Sequence, residues 1–184
     1  MIPGLTFRRL SVADAALLGQ IDRSETVSRL YSIRDGELHG RTVNEEVPRW
    51  STEPDDAHPD FDLDVRVGRL RSRLAEGWTG IGTFDQGVLV GYCLLRLALT
   101  DTMAQVAELF VSRSHRRTGI GAELMRRMAE AARRSGAGRL YVSAAPTESA
   151  VSFYLAQGFH LNPEPHPELL ALEPEDIHMI KDLP

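Results

Sequence analysis

An apolar segment of the chain runs into a glycine-rich turn and then into a helical pattern. Leu109–Val111 is followed by Arg116-x-x-Gly119-x-Gly121, and apolar residues recur at helical spacing from Ile120. The first backbone N–H groups of a helix have no partner within it and lie at the positive end of its dipole, so a phosphate can accept hydrogen bonds there. Glycine lets the backbone approach a ligand closely. The segment predicts an anion site, and a tight structural turn is the alternative.

Two known phosphate-binding loops do not fit this segment. A Walker loop requires Lys and then Ser or Thr after its last glycine, whereas Gly121 is followed by Ala122 and Glu123. A dinucleotide-binding fingerprint requires a third small residue three positions after the second glycine, where this chain has Leu124. The glycines therefore indicate a phosphate site of another kind.

The segment resembles motif A of the GCN5-related N-acetyltransferases (GNAT family), in which Arg or Gln is followed by x-x-Gly-x-Gly or x-x-Gly-x-Ala. A second segment, Pro146–Phe159, resembles motif B of the same family, Ala-x-x-Phe-Tyr-x-x-x-Gly-Phe. Between the two motifs, Ile120–Met128 predicts a helix and Arg139–Ala144 predicts a strand, as the fold of that family requires. Two motifs thus agree in order and spacing.

The resemblance implies an α/β (α+β) GNAT fold, with a mixed, mostly antiparallel sheet of about six to seven strands and about four helices. Apolar spacing predicts the elements outside the motifs. The strands are Thr6–Leu10, Trp78–Phe84, Val88–Leu99, Met103–Val111 and Asp176–Lys181. The helices run from Ser11, with Asp14 in a capping box, to about Arg23, and over Leu63–Leu74. The proline-rich segment Pro163–Pro174 predicts a loop, and we expect one domain over residues 1–184.

A β-hairpin is predicted between the first helix and the second strand of that sheet. Asp35-Gly36 is a two-residue turn signal between the β-prone segments Thr26–Arg34 and Glu37–Val47. Most members of the family are helical in this interval, which shapes the acceptor site. The hairpin therefore leaves the identity of the acceptor open.

The resemblance also implies which residues bind acetyl-CoA, the expected acyl donor. Backbone groups of Leu109, Phe110 and Val111 would bind the pantetheine arm, and an N–H there can polarise the thioester carbonyl. The pyrophosphate is assigned to the glycine-rich turn, namely Arg116, Arg117, Thr118, Gly119, Ile120, Gly121 and Ala122. Thr147 stands where many members have an Asn that contacts the cofactor arm, and a helix cap is its alternative role. No metal is expected.

Acetyl transfer to an amine needs a neutral nucleophile and a proton for the departing thiolate. Tyr154 matches the motif B tyrosine that serves the family as general acid, and packing is its alternative role. Glu108 precedes the donor-binding strand segment and could accept the amine proton directly or through water; a solvent-facing glutamate is the alternative. Glu25 and His39 are further candidates for the base, and an amine that arrives neutral needs none.

Composition narrows the partners and the compartment. The net charge of −5 argues against nucleic-acid binding, and no apolar run is long enough for a membrane span. Met1-Ile-Pro-Gly lacks the features of a secretory signal, and the lone Cys93 lies in an apolar run, so we expect a cytoplasmic protein with a buried thiol. The acidic run Glu53–Asp62 favours a cationic acceptor only weakly, because such runs are usually just solvated.

These features predict an enzyme that transfers an acetyl group from acetyl-CoA to a primary amine by direct attack in a ternary complex. The acceptor is a small molecule or a protein amine. The alternative is a non-catalytic sensor or regulatory module that binds acyl-CoA on the same fold. Family members often pair through their sheets, and the sequence leaves a homodimer open.

Overall fold

The computed structural model describes residues 2–53 and 59–184, in which nine strands and four α-helices follow one another. The strands are β1 (Leu5–Arg9), β2 (Glu25–Arg34), β3 (Glu37–Val47), β4 (Thr79–Asp85), β5 (Val88–Thr100), β6 (Met103–Val111), β7 (Arg139–Ala144), β8 (His160–Leu161) and β9 (Ile177–Asp182). The α-helices are α1 (Leu63–Ala75), α2 (Ile120–Arg134), α3 (Glu148–Ala156) and α4 (Pro167–Leu172). Segments of 3₁₀ helix lie at Val12–Gln20, Pro59–Phe61 and Arg113–His115.

Seven strands form one sheet in the order β1-β4-β5-β6-β7-β9-β8, and β2 and β3 form a separate hairpin. The pairs β1–β4, β4–β5, β7–β9 and β8–β9 are antiparallel, whereas β6–β7 is parallel. The predicted mixed, mostly antiparallel sheet is confirmed. No helix among the described residues is long and apolar enough to cross a membrane.

By its internal contacts the chain divides into two compact units. Unit one comprises Met1–Glu25, Val47–Arg96 and Glu108–Met128. Its core is an apolar cluster to which the 3₁₀ segment contributes Leu18, α1 contributes Leu70 and Leu74, and β5 contributes Leu89 and Leu94. The expectation of a single domain stays a prediction.

Unit two comprises Thr26–Glu46, Leu97–Ala107 and Ala129–Pro184. A smaller cluster of Leu99, Tyr141 and Leu169 lies within it. The hairpin is joined to the start of α3 in this unit. The N–H of Tyr31 donates to the carbonyl of Pro146 at 2.7 Å, and Leu30 forms a bridge with Thr147.

Most predicted elements are confirmed, and three differ. The helix after β1 is a 3₁₀ helix that ends at Gln20, although the carboxylate of Asp14 does accept hydrogen bonds from the N–H and the hydroxyl of Ser11, both at 2.7 Å. Strand β8 was not predicted, because two residues are too few to show the alternation of apolar and polar residues that marks a strand. The loop predicted at Pro163–Pro174 contains α4, since Pro167 occupies the first turn, where proline is tolerated, and Leu169 is buried.

The hairpin turn is confirmed, and both of its residues are left-handed. Asp35 has φ of 51° and Gly36 has φ of 79°. A two-residue turn of this kind needs positive φ at both positions, and glycine reaches it without strain.

We expect Gly36→Ala to lower the free energy of unfolding by about 1 kcal/mol, because an L residue is strained at positive φ even where space is open. Gly68→Ala is the matched control: Gly68 lies inside α1 with open space around it, and its replacement should raise the free energy of unfolding by about 0.5–1 kcal/mol. Denaturant unfolding measures both values. Equal effects of the two substitutions would contradict the assigned turn.

Candidate active site

The glycine-rich turn in unit one leads into α2 through left-handed residues. Arg117 has φ of 66° and Gly119 has φ of 91°, and the hydroxyl of Thr118 donates to the carbonyl of His115 at 2.6 Å. The N–H of Glu123 donates to the carbonyl of Gly119 at 3.0 Å. The N–H groups of the residues before Glu123 in the first turn, Ile120, Gly121 and Ala122, therefore precede the hydrogen-bond ladder of the helix. They form a set of donors at the positive end of the helix dipole, which suits an anion.

The side chain of Arg116 joins segments of unit one through hydrogen bonds and an ion pair. Its Nε donates to the carbonyl of Val111 at 3.1 Å and its Nη2 donates to the carbonyl of Arg23 at 2.9 Å. Its Nη1 lies 3.5 Å from the carboxylate of Glu25. Arg116 thus holds the end of β6 against the start of β2, and Glu25 is its ion-pair partner.

Strand β6 pairs with β7 over only part of its length. Their parallel ladder joins Met103–Gln105 to Arg139–Tyr141. Leu109–Val111 lies beyond the end of that ladder. This edge of β6 leaves backbone groups in the position that the sequence assigns to the pantetheine arm.

Glu108 is buried in unit one, with 7% of its surface exposed, so the alternative of a solvent-facing glutamate is wrong. One carboxylate oxygen accepts a hydrogen bond from Arg73 Nη1 at 2.5 Å. The other lies 3.3 Å from Arg66 Nη2 and accepts a hydrogen bond from the hydroxyl of Tyr92. A carboxylate that is buried away from solvent is stabilised by such charged and polar donors.

The environment of Glu108 also changes the acidity of its neighbours. Burial, followed by the charge of Glu108, raises the pKa of the Tyr92 phenol well above its ordinary value. The same two causes raise the pKa of the Cys93 thiol. Both groups therefore stay protonated at neutral pH, and the predicted burial of the cysteine is confirmed.

Tyr154 and Thr147 lie on α3 in unit two. Tyr154 is 6% exposed and its ring meets those of Phe153 and Phe159 edge to face, with centroids 5.2 Å and 5.3 Å away. Thr147 is the N-cap of α3, where its hydroxyl accepts from the N–H of Ala150 at 3.4 Å. His39 is exposed on the hairpin.

The acidic run is only partly described. Asp55 and Asp56 lie outside the described residues. Asp60 pairs with Arg69 at 2.8 Å and with Arg66 at 3.6 Å. Asp62 caps α1 by accepting from the N–H of Val65 at 3.1 Å. The described acidic groups at 60 and 62 thus serve α1. Among the described residues, no group of three or more His, Cys, Asp or Glu could hold a metal ion.

A family model supports the fold and the order of the motifs. The model of the acetyltransferase (GNAT) family matches residues 37–159, which is more than half of the chain. The chain belongs to the GNAT family of acetyltransferases. The predicted family and enzyme class are confirmed.

Individual relatives of this acetyltransferase include proteins named as streptothricin and nourseothricin acetyltransferases. A streptothricin acetyltransferase from Streptomyces lavendulae is 27% identical over 157 residues, covering 83% of this chain and 80% of the relative. The crystal structure of a nourseothricin acetyltransferase matches with a TM-score of 0.70 at 21% identity, covering 98% of this chain and 99% of that one. A PaiA N-acetyltransferase from Thermoplasma acidophilum, solved with coenzyme A, matches with a TM-score of 0.66 at 15% identity, covering 97% and 98%. The two structures show the shared fold.

The sequence analysis missed the residues that surround Glu108. Arg66 and Arg73 lie seven positions apart on α1, each immediately before an apolar residue of its buried face. Two arginines on the border of an apolar helix face could have indicated a buried partner of opposite charge. Tyr92 carries no such signal, because a tyrosine in an apolar strand usually only packs.

We expect Glu108→Gln to lower the free energy of unfolding of this acetyltransferase by about 3 kcal/mol, because it leaves Arg66 and Arg73 without a buried counter-charge. Glu45→Gln is the control, since Glu45 is exposed and lies 3.9 Å from Arg41, and it should change stability by less than about 1 kcal/mol. Denaturant unfolding at neutral pH gives both values. A Glu108→Gln protein as stable as the wild type would show that the arginines do not depend on the carboxylate.

Proposed function

We propose that this acetyltransferase transfers an acetyl group from acetyl-CoA to a primary amine by direct attack in a ternary complex. The observation that carries the proposal is the start of α2, where the N–H groups of Ile120, Gly121 and Ala122 follow a left-handed turn. Such donors suit a pyrophosphate, because several of them converge at the positive end of a helix. The PaiA relative was solved with coenzyme A, which supports a CoA donor.

The donor would be held mainly by backbone. The pyrophosphate would lie against the turn Arg117–Ala122, and Arg116 would act by fixing the end of β6. The pantetheine arm would extend the free edge at Leu109–Val111 in the manner of an added strand, and an N–H there would polarise the thioester carbonyl. Thr147 would contact the arm while it caps α3.

The transfer would proceed by attack of the neutral amine nitrogen on the thioester carbonyl carbon. The new C–N bond forms, the C–S bond breaks, and Tyr154 donates its hydroxyl proton to the departing thiolate. The nitrogen proton leaves through water. Glu108 would receive it only through such a water, because its carboxylate already accepts donors from Arg73 and Tyr92.

The relatives suggest the first acceptor to test. Proteins named as streptothricin and nourseothricin acetyltransferases match more than four fifths of this chain. We propose streptothricin as the first amine of a panel that also contains simple amines and a lysine peptide. Transfer to none of them, with acetyl-CoA bound, would favour the sensor alternative.

Acetyl-CoA should raise the melting temperature of the chain, and at a concentration of about 100 times Kd the added stability is about 2.7 kcal/mol. Gly121→Asp should abolish the rise, because it sets a carboxylate among the donors for the pyrophosphate, whereas an acidic residue in a first helical turn is compatible with folding. Gly68→Asp, which adds the same charge to α1, should keep the rise. A full shift in Gly121→Asp would place the cofactor elsewhere.

Tyr154→Phe should lower kcat by about 100-fold or more while the KM for acetyl-CoA changes little, because the proton donor acts only in the transition state. Glu130→Gln is the control and should keep the wild-type rate, because the side chain of Glu130 is partly exposed on α2, where it pairs with Arg134. Release of the CoA thiol during turnover measures both. An unchanged kcat in Tyr154→Phe would leave this tyrosine with a packing role.

A further inference from the structure

Arginine and aromatic side chains gather in unit one beside the end of β6. Arg23 Cζ lies 4.2 Å from the ring centroid of Phe61 and 4.9 Å from that of Trp50. Arg66 Cζ lies 5.9 Å from the ring centroid of Trp50 and 5.7 Å from that of Phe110. The ring of Phe110 in turn meets that of Trp50 edge to face at 5.3 Å. We call these five residues the arginine–aromatic cluster.

The cluster holds more hydrogen-bond donors than the described residues satisfy. Four buried nitrogen atoms have no partner within residues 2–53 and 59–184: Nε and Nη1 of Arg23, Nε of Arg66, and Nε1 of Trp50. The side chain of Arg66 is 10% exposed and Trp50 is 8% exposed. Buried donors nearly always find an acceptor, and these four are all N–H groups. Their common missing partner is therefore an atom that accepts hydrogen bonds.

The charges around the cluster favour an anion. Glu108 is already paired with Arg66 and Arg73, and Asp60 is paired with Arg66 and Arg69. Arg23 has no carboxylate within ion-pair distance in the described part of the chain. Burial and then the positive charge of Arg66 lower the pKa of Arg23, and the nearby charges of Asp60 and Glu25 do not reverse this, so an added negative charge would stabilise the Arg23 guanidinium group. Part of the Arg23 side chain remains exposed, which gives a ligand access.

The cluster also lies where an acceptor must arrive if the proposed function is right. Phe110 belongs to the β6 segment assigned to the donor arm, and Arg116 joins the backbone of Arg23 to that of Val111. Resting on the proposed function, we propose that the arginine–aromatic cluster binds a carboxylate of the amine acceptor. The acceptor is then an amino acid or a related compound with both an amine and a carboxylate.

A matched series of acceptors tests this specificity. The ω-amino acids from glycine to 6-aminohexanoate are compared with their primary amides and with alkylamines that carry methyl in place of the carboxylate. At least one amino acid should exceed its amide and its alkylamine in kcat/KM by about 10-fold or more, because a charged hydrogen bond is then lost. Equal values for acid, amide and alkylamine would overturn the proposal, and the four donors would be satisfied by water.

Two variants locate the preference in the cluster. Arg23→Met removes a positive charge, and Trp50→Phe removes one N–H donor but keeps an aromatic ring. Each variant should raise the KM for the preferred amino acid and leave the KM for the alkylamine unchanged. Arg139→Gln is the control and should keep the preference, because Arg139 is exposed on β7, where it pairs with Asp182. An unchanged preference in both cluster variants would overturn the proposal.

The proposed function and this specificity fail in different ways. Equal transfer to alkylamines and amino acids would support acetyl transfer and overturn only the proposed carboxylate site. If acetyl-CoA does not bind and no amine is acetylated, the proposed function fails. Calorimetric titration of 5-aminopentanoate into the wild-type and Arg23→Met chains then decides the carboxylate site by itself: heat in the wild type alone supports the site, and equal heats overturn it.

Discussion

One buried negative charge sets the arrangement of unit one. A carboxylate removed from water needs opposite charge and hydrogen bonds, and Glu108 on β6 receives them from Arg66 and Arg73 on α1 and from Tyr92 on β5. The two arginines are seven positions apart, so they leave α1 on the same side, two turns apart. The helix can therefore meet the sheet in only one register that satisfies both. Packing of apolar residues alone would allow neighbouring registers at smaller cost.

The same charge limits what Glu108 can do in a reaction. A general base must have a free oxygen lone pair directed at the proton that it removes. The oxygens of Glu108 face two guanidinium groups and a phenol that burial keeps protonated. The carboxylate is therefore suited to holding positive groups in place, and one of these is Arg66 of the arginine–aromatic cluster.

The fold could be predicted from the sequence wherever a short local signal determined it. Asp35-Gly36 predicted the hairpin turn, and the motifs at 116–121 and 146–159 predicted the strand–helix order on either side of them. The remainder depends on contacts that are distant along the chain. Glu108 is 35 residues from Arg73, and no local pattern reports that pair. Strand β8 exists only because β9 pairs with it. Helix α4 is short, and its prolines suggested a loop although one of them starts it.

The β2–β3 hairpin of this enzyme is bonded to the start of α3. Its backbone bonds to Pro146 and bridges Thr147, the residues from which α3 begins, and Ser28 donates to the carboxylate of Glu148 at 3.0 Å. The first turn of α3 is thus bonded directly to the inserted strands. A chimera that exchanged only residues 25–47 for the corresponding segment of a relative would lose this anchorage and displace the tyrosine at the far end of the helix. A graft that exchanges the hairpin therefore has to include the start of α3 as well.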